Sequence, residues 1–166
     1  MSDVVNVKFA KVRGDAIIPS YAHPTDGWLD IYACFDEDAI IIDPHTNKLI
    51  PTGICSIIPE GYRISFGERG SNTKSTLIVM AGKIDANYRG EYFVSLYNGN
   101  NIPVVICKGV NNVIKSDSCI VVPYSKAICQ AAIEKKPDVE VEECPLEEVL
   151  NNKTDRGDGC LGSSGK

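Results

Sequence analysis

Short apolar runs broken by glycine, proline and asparagine recur along this chain, and they alternate with a period of two. V-V-N-V-K-F-A at 4–10 and E-G-Y-R-I-S-F at 60–66 alternate as half-buried strands do. L-D-I-Y-A at 29–33, A-I-I-I-D at 39–43, T-L-I-V-M-A-G at 76–82 and E-Y-F-V-S-L-Y-N at 91–98 read as further strands. So do I-P-V-V-I-C at 102–107, S-C-I-V-V at 118–122 and A-I-C-Q-A-A-I at 127–133. The prolines fall mostly where strands begin or end, the places a sheet tolerates them. Helical signal is confined to S-N-T-K-S-T at 71–76 and to one turn in C-P-L-E-E-V-L at 144–150. The acidic D-V-E-V-E-E at 138–143 reads as a solvated edge strand. The pattern predicts an all-β sandwich, jelly roll or barrel over residues 1–150, with N-N-K-T-D-R linking it to a Gly-rich end within 151–166.

Bulk properties narrow the classes. A chain of 166 residues with 43% hydrophobic and 23% charged content is long enough for one domain with a real core. Its net charge of −5 lacks the basic surplus of a protein that lives on a nucleic-acid backbone. Seven cysteines, an odd number with no C-x-x-C, argue against a disulfide framework and a zinc knuckle. With two histidines besides, a His-based metal site is not expected. No signal-peptide layout opens the chain and no run approaches a membrane span, so a soluble, cytoplasmic protein is expected.

Two stretches carry candidate chemistry. The last residues, R-G-D-G-C-L-G-S-S-G-K, look built to approach phosphate closely. They are no P-loop: glycine is required where Cys160 stands, and the Ser or Thr after Lys166 does not exist. Read alone, the stretch is a frayed tail or an arm that orders on a phosphorylated ligand. The second stretch, A-G-K-I-D-A-N-Y-R-G-E-Y-F-V-S-L-Y-N at 81–98, reads as strand, tight turn, strand, with Asp85 just before the turn. On spacing alone Asp85 is first a turn aspartate that satisfies backbone N–H groups. Beside Ile84 and Ala86, its carboxylate can also be partly desolvated, which suits a general base.

G-x-I-D-x-x-Y-R-G-E resembles the third motif of the homotrimeric dUTPases, with Gly82, Ile84, Asp85, Tyr88, Arg89, Gly90 and Glu91 all matching. R-G-x-G-x-x-G-S-S-G at the end is similar to the family's fifth motif. T-D-G-W-L-D-I-Y-A at 25–33 resembles the first, with Asp26, Asp30 and Ala33 in place and G-W-L where A-G-Y is usual. In the second motif's position, G-E-R-G-S replaces P-R-S-G, a form similar to a bacterial and phage branch, with Gly70 between Arg69 and Ser71. Y-S-K-A-I-C-Q keeps only Ile128 and Gln130 of the fourth. The segment 98–118 is longer than a minimal dUTPase needs and is expected to carry an extra hairpin.

The resemblance implies a distorted jelly roll or β-clip barrel with one short helix and a flexible Gly-rich C-terminal arm. It implies hydrolysis of dUTP to dUMP and pyrophosphate, which limits uracil in DNA and supplies dUMP for dTMP synthesis. Water activated by Asp85 attacks the α-phosphorus in line, with Mg2+ held by the triphosphate and waters and no protein ligand. Backbone around Gly82 to Ile84 reads the uracil edge, and Tyr88 packs on the deoxyribose. Arg69, Gly70, Ser71 and Gln130 serve the phosphates. Asp30 is at most an outer-shell partner, and a strand-end aspartate paired with Arg69 is its alternative. Arg156, Gly162, Ser163 and Ser164 belong to an arm that closes over a neighbouring subunit's substrate. Leu161 stands where most arms carry an aromatic residue that stacks on uracil, so weaker base stacking is expected. The homotrimer, with sites between subunits, follows from the family alone.

Three rival readings stand beside this one. A dCTP-acting deaminase of the same superfamily usually lacks the arm and the I-D-x-x-Y set. A nucleotide-gated regulator, with a regulatory protein partner for a phage-derived chain, would use the 98–118 segment for contact. A purely structural β-protein leaves the ordered motifs unexplained. No direct nucleic-acid or membrane contact is expected.

Overall fold

The computed structural model describes residues 4–155 and residue 157. The strands run in chain order β1 (Lys8–Lys11), β2 (Leu29–Ile31), β3 (Ala39–Ile42), β4 (Asn47–Pro51), β5 (Ile54–Ile57), β6 (Tyr62–Gly67) and β7 (Leu77–Met80). They continue as β8 (Lys83–Ile84), β9 (Phe93–Asn98), β10 (Val104–Cys107), β11 (Ile114–Lys115), β12 (Ile120–Pro123) and β13 (Cys129–Lys135). A 3-10 helix, Gly70–Lys74, follows β6, and one short helix, α1, spans Leu146–Asn151.

These strands form four sheets, ordered β1-β5, β11-β12-β10-β3, β2-β13-β6-β8 and β4-β9-β7. The sheets stack in a jelly-roll-like body without closing into a barrel. Central strands are covered on both faces along part of their length: β6 buries Ile64, Ser65 and Phe66 in succession. Val94, Leu96 and Asn98 of β9 are buried, while Phe93 on the same strand faces out. Ile42, Ile50, Ile64, Val104 and Ile106 are fully buried in the common core. Each such side chain contributes roughly 1.5–3 kcal/mol on burial. The buried Asn98 is satisfied: its amide donates to the Ile42 carbonyl at 2.9 Å and the Ile102 carbonyl at 3.0 Å.

Four sequence expectations change. The stretch 81–98 is no two-stranded hairpin: β8 pairs with β6 (Ile64↔Ile84), while β9 pairs with β7 and β4 in another sheet. The turn therefore crosses between sheets. The acidic stretch 138–143 is solvated as expected but forms no strand, because no neighbouring strand of the chain lies beside it. The 3-10 helix ends at Lys74, one turn only, since Ser75 already bonds back to the Asn72 carbonyl. The 98–118 segment holds no complete hairpin of its own: β11 lies within it, and its antiparallel partner β12 begins at Ile120. No helix among the described residues is long and apolar enough to cross a membrane.

Candidate active site

Register brings the phosphate-side candidates together. Central strand β13 places Gln130 between Asp30 of β2 and Gly67 of β6. Just past β6, Glu68 and Arg69 lead into the 3-10 helix that carries Gly70 and Ser71. A cavity of about 360 Å3 opens there, lined by Asp26, Trp28, Asp30, Arg69, Ser71 and Gln130 with their small neighbours, Gly70 included.

Arg69 is the hub of this cavity. Its Nε lies 3.0 Å from Asp30 Oδ1 and its Nη2 3.2 Å from Asp30 Oδ2. Nη1 donates to the Ala127 carbonyl at 3.2 Å and makes a long 3.5 Å contact with Ser71 Oγ. Two-point pairing of a planar guanidinium with a carboxylate fixes its orientation. Of its five N–H bonds, one on Nη2 and the long one to Ser71 remain for a ligand. Gln130 Nε2 donates to the Glu68 carbonyl at 2.8 Å, which ties the fourth-motif strand to the second. Asp26 accepts the His23 N–H at 2.9 Å and closes the loop over the cavity. Behind it Cys129 is buried, and burial pushes its thiol up, so it is a packing residue.

The third-motif residues line a second cavity, of about 290 Å3, with Ile84, Asp85, Tyr88 and Tyr92 on its walls. Gly82 is needed there: a Cβ would lie 2.8 Å from both the Cβ and the carbonyl oxygen of Phe66. That close approach lets Phe66 N–H donate to the Gly82 carbonyl at 2.7 Å. Ala81 before it adopts φ 54°, a strained value for a residue with a Cβ. Tyr88 stacks on buried Tyr92, ring centroids 6.1 Å apart and planes 17° from parallel, and its hydroxyl donates to the Glu91 carbonyl at 3.0 Å. Burial pushes the Tyr92 phenol up, so Tyr92 stays neutral beneath it. Glu91 Oε1 accepts the Gly53 N–H at 2.8 Å and anchors the far end of the turn.

Asp85 is exposed in this chain, against the expectation of partial desolvation by its apolar neighbours. Ile84 and Ala86 are only half-buried, so they shield little. The two cavities share no lining residue. Asp30, Arg69, Gly70, Ser71 and Gln130 thus meet in one place, and Gly82, Ile84, Asp85 and Tyr88 cluster in another. Arg156, Leu161, Gly162, Ser163 and Ser164 lie outside the described residues. Sequence reasoning missed Trp28 as a wall of the first cavity and Tyr92 as the platform under Tyr88. The adjacency of Trp28 to matched Asp26 and Asp30 was the available signal for the former.

A dUTPase family model matches residues 14–111. The chain belongs to the dUTPase family. It is an enzyme of the dUTP diphosphatase class. Among its relatives, a deoxyuridine 5'-triphosphate nucleotidohydrolase of Finegoldia magna is 34% identical over 89% of this chain and 91% of its own. That of a Hydrogenobaculum species is 35% identical over 93% of this chain and 94% of its own. Among solved structures, a point mutant of the dUTPase of Staphylococcus bacteriophage 80alpha, with dUpNHpp, shares the dUTPase fold at TM-score 0.76 and 21% identity, covering 97% of this chain and 99% of that one. The dUTPase of phage phi11 of S. aureus, described with a structural Mg(II) ion, gives TM-score 0.66 at 19% identity over 84% of this chain and 96% of that one.

Proposed function

We propose that this chain hydrolyses dUTP to dUMP and pyrophosphate in sites completed between copies of a homotrimer. The observation that carries the reading is the split just described. Phosphate-side donors and the candidate base line separate cavities of one chain, which favours a site completed by a second copy. The outer face of β4-β9-β7 supports such packing: Leu49, Ile78, Met80 and Phe93 are exposed there, 45–60% each. An apolar sheet face of that kind is a natural subunit contact.

The chemistry follows from the groups present. Strand β8 is the edge of its sheet, where a uracil edge can pair with backbone, and the Lys83 N–H there donates to the Ala81 carbonyl at 2.9 Å before the base arrives. Tyr88, fixed on Tyr92, offers a flat wall for the deoxyribose. Arg69, Ser71 and Gln130 hold the phosphates, and Asp30 keeps the guanidinium aimed. Asp85, within reach of the α-phosphorus in the completed site, orients a water for in-line attack and takes its proton. Packing by the second copy supplies the desolvation that the single chain lacks. Mg2+ when bound neutralises triphosphate charge. The donor set fits a metal that arrives with the nucleotide: Asp30 is paired with Arg69, and the described residues hold no cluster of three metal-ligating side chains. Residues 151–166 form the closing arm, with Arg156, Gly162, Ser163 and Ser164 as phosphate donors and Leu161 over the base. The limitation of uracil in DNA and the supply of dUMP are its role, in a cytoplasm where the buried thiols of Cys34 and Cys129 stay reduced. A protein partner at the exposed edge strand β11 is a second role compatible with this one.

Pyrophosphate release with Mg2+ from dUTP, dTTP, dCTP and UTP in parallel tests the reading. Fast release from dUTP alone is expected. Equal rates on several of them would refute the assignment of the β8 edge and Tyr88. Release from none would overturn the reaction itself.

A further inference from the structure

A third cavity, of about 400 Å3, adjoins that of Arg69 at the 3-10 helix. The 3-10 helix contributes Lys74, β11 contributes Lys115, and the turn before β13 contributes Lys126. Its floor is apolar, with Leu77, Val122 and Ile128 all buried. No acidic residue lines it. Among the described residues, none of the three lysines makes an ion pair or donates a side-chain hydrogen bond. The chain as a whole carries 22 acidic against 17 basic residues. Its acids could have neutralised three clustered cations, and none is placed to do so.

The three lysines are exposed, so water partly screens the repulsion between their like charges. A bound anion relieves that repulsion and gains several charge-assisted hydrogen bonds at once. A neutral apolar guest would fill the floor and leave the repulsion untouched. The volume suits a small molecule and excludes a folded partner. Ser71 is the one residue that lines both this cavity and that of Arg69. The two sites therefore adjoin at Ser71.

We propose that this lysine-lined cavity is a second anion site, separate from the substrate phosphates, for a compact polyanion of the pyrophosphate type. Strands β11 and β12 build one of its walls, through Lys115 and Val122. The site stands on its own geometry and does not rest on the hydrolytic reading. If that reading holds, the reaction's own product has the matching chemistry, and the site couples product concentration to the phosphate donors through Ser71.

Binding of inorganic pyrophosphate to the full-length protein, by calorimetry, in the presence of saturating dUpNHpp, separates this site from the substrate's. Binding is expected to persist, to weaken with rising salt, and to fall about tenfold or more in each of Lys74→Gln and Lys115→Gln. Lys8→Gln, on β1, is expected to leave it unchanged. Loss of all pyrophosphate binding when the analogue is added would overturn the proposal. So would wild-type affinity in the double variant Lys74→Gln/Lys115→Gln. Neither result depends on whether dUTP is hydrolysed.

Discussion

Arg69 and Asp30 meet side-on through two bonds, Nε to Oδ1 at 3.0 Å and Nη2 to Oδ2 at 3.2 Å. Both side chains are mostly buried, at 25% and 13% exposure, so removing one partner strands a charge. Asp30→Ala is expected to lower unfolding stability by about 2 kcal/mol and to raise KM for dUTP. Urea unfolding and steady-state kinetics check both. Unchanged KM would mean that Asp30 does not aim the guanidinium.

Asp85→Asn removes the proposed base and keeps the size of the side chain at the turn. It is expected to bind dUTP with near-normal affinity and turn over at least about a hundredfold more slowly. A kcat close to wild type would remove Asp85 from the chemistry.

Gly90 lies directly under the Tyr88 phenol, where any Cβ would overlap the ring and its hydroxyl. Gly90→Ala therefore lifts Tyr88 from Tyr92. A fall in kcat/KM for dUTP of about tenfold or more is expected, with less discrimination against UTP. Kinetics on the two nucleotides check this, and an unaltered dUTP/UTP ratio would mean Tyr88 does not gate the ribose.

If each site takes Asp85 from one copy and Arg69 from another, two inactive variants can rescue each other. Asp85→Asn and Arg69→Ala homotrimers are each expected to be slow. Refolded together from denaturant, they are expected to recover up to about a quarter of wild-type sites by random assortment. No recovery in mixed trimers would place both residues in a site within one chain.

Glu134 of β13 accepts from Ser65 Oγ at 2.6 Å and Arg63 Nε at 2.9 Å, and Lys83 Nζ joins Ser65 Oγ at 3.0 Å. These bonds, Ser65's first, hold the Glu134 carboxyl below its ordinary range. The network's contribution is present above the unfolded value of about 4.3 and is lost as pH falls through the lower folded value. Thermal midpoints measured from pH 6 down to pH 3 are expected to fall less steeply in Glu134→Gln. An identical acid limb in both proteins would show that the pairing adds nothing.

Alternation at 60–66 and the short apolar runs bounded by turn residues at 91–98 and 127–133 were enough to mark β6, β9 and β13, because strand residues are recognisable whatever they pair with. The third-motif residues were legible as a set because a tight turn needs its glycines and its aspartate close in sequence. Which strands pair was not legible, since backbone hydrogen bonding is the same for every partner. Only the tertiary structure sends β8 to β6 and β9 to β7, and so parts Asp85 from the strand that follows it. Gln130 stands 100 residues from Asp30, and only the register of β13 against β2 brings it alongside. Long-range register depends on how all the buried faces pack together, and that sum is not written in any single stretch. The residue types capable of the chemistry were determined by sequence alone. Their division between two cavities, and the lysine-lined third, were decided by the fold.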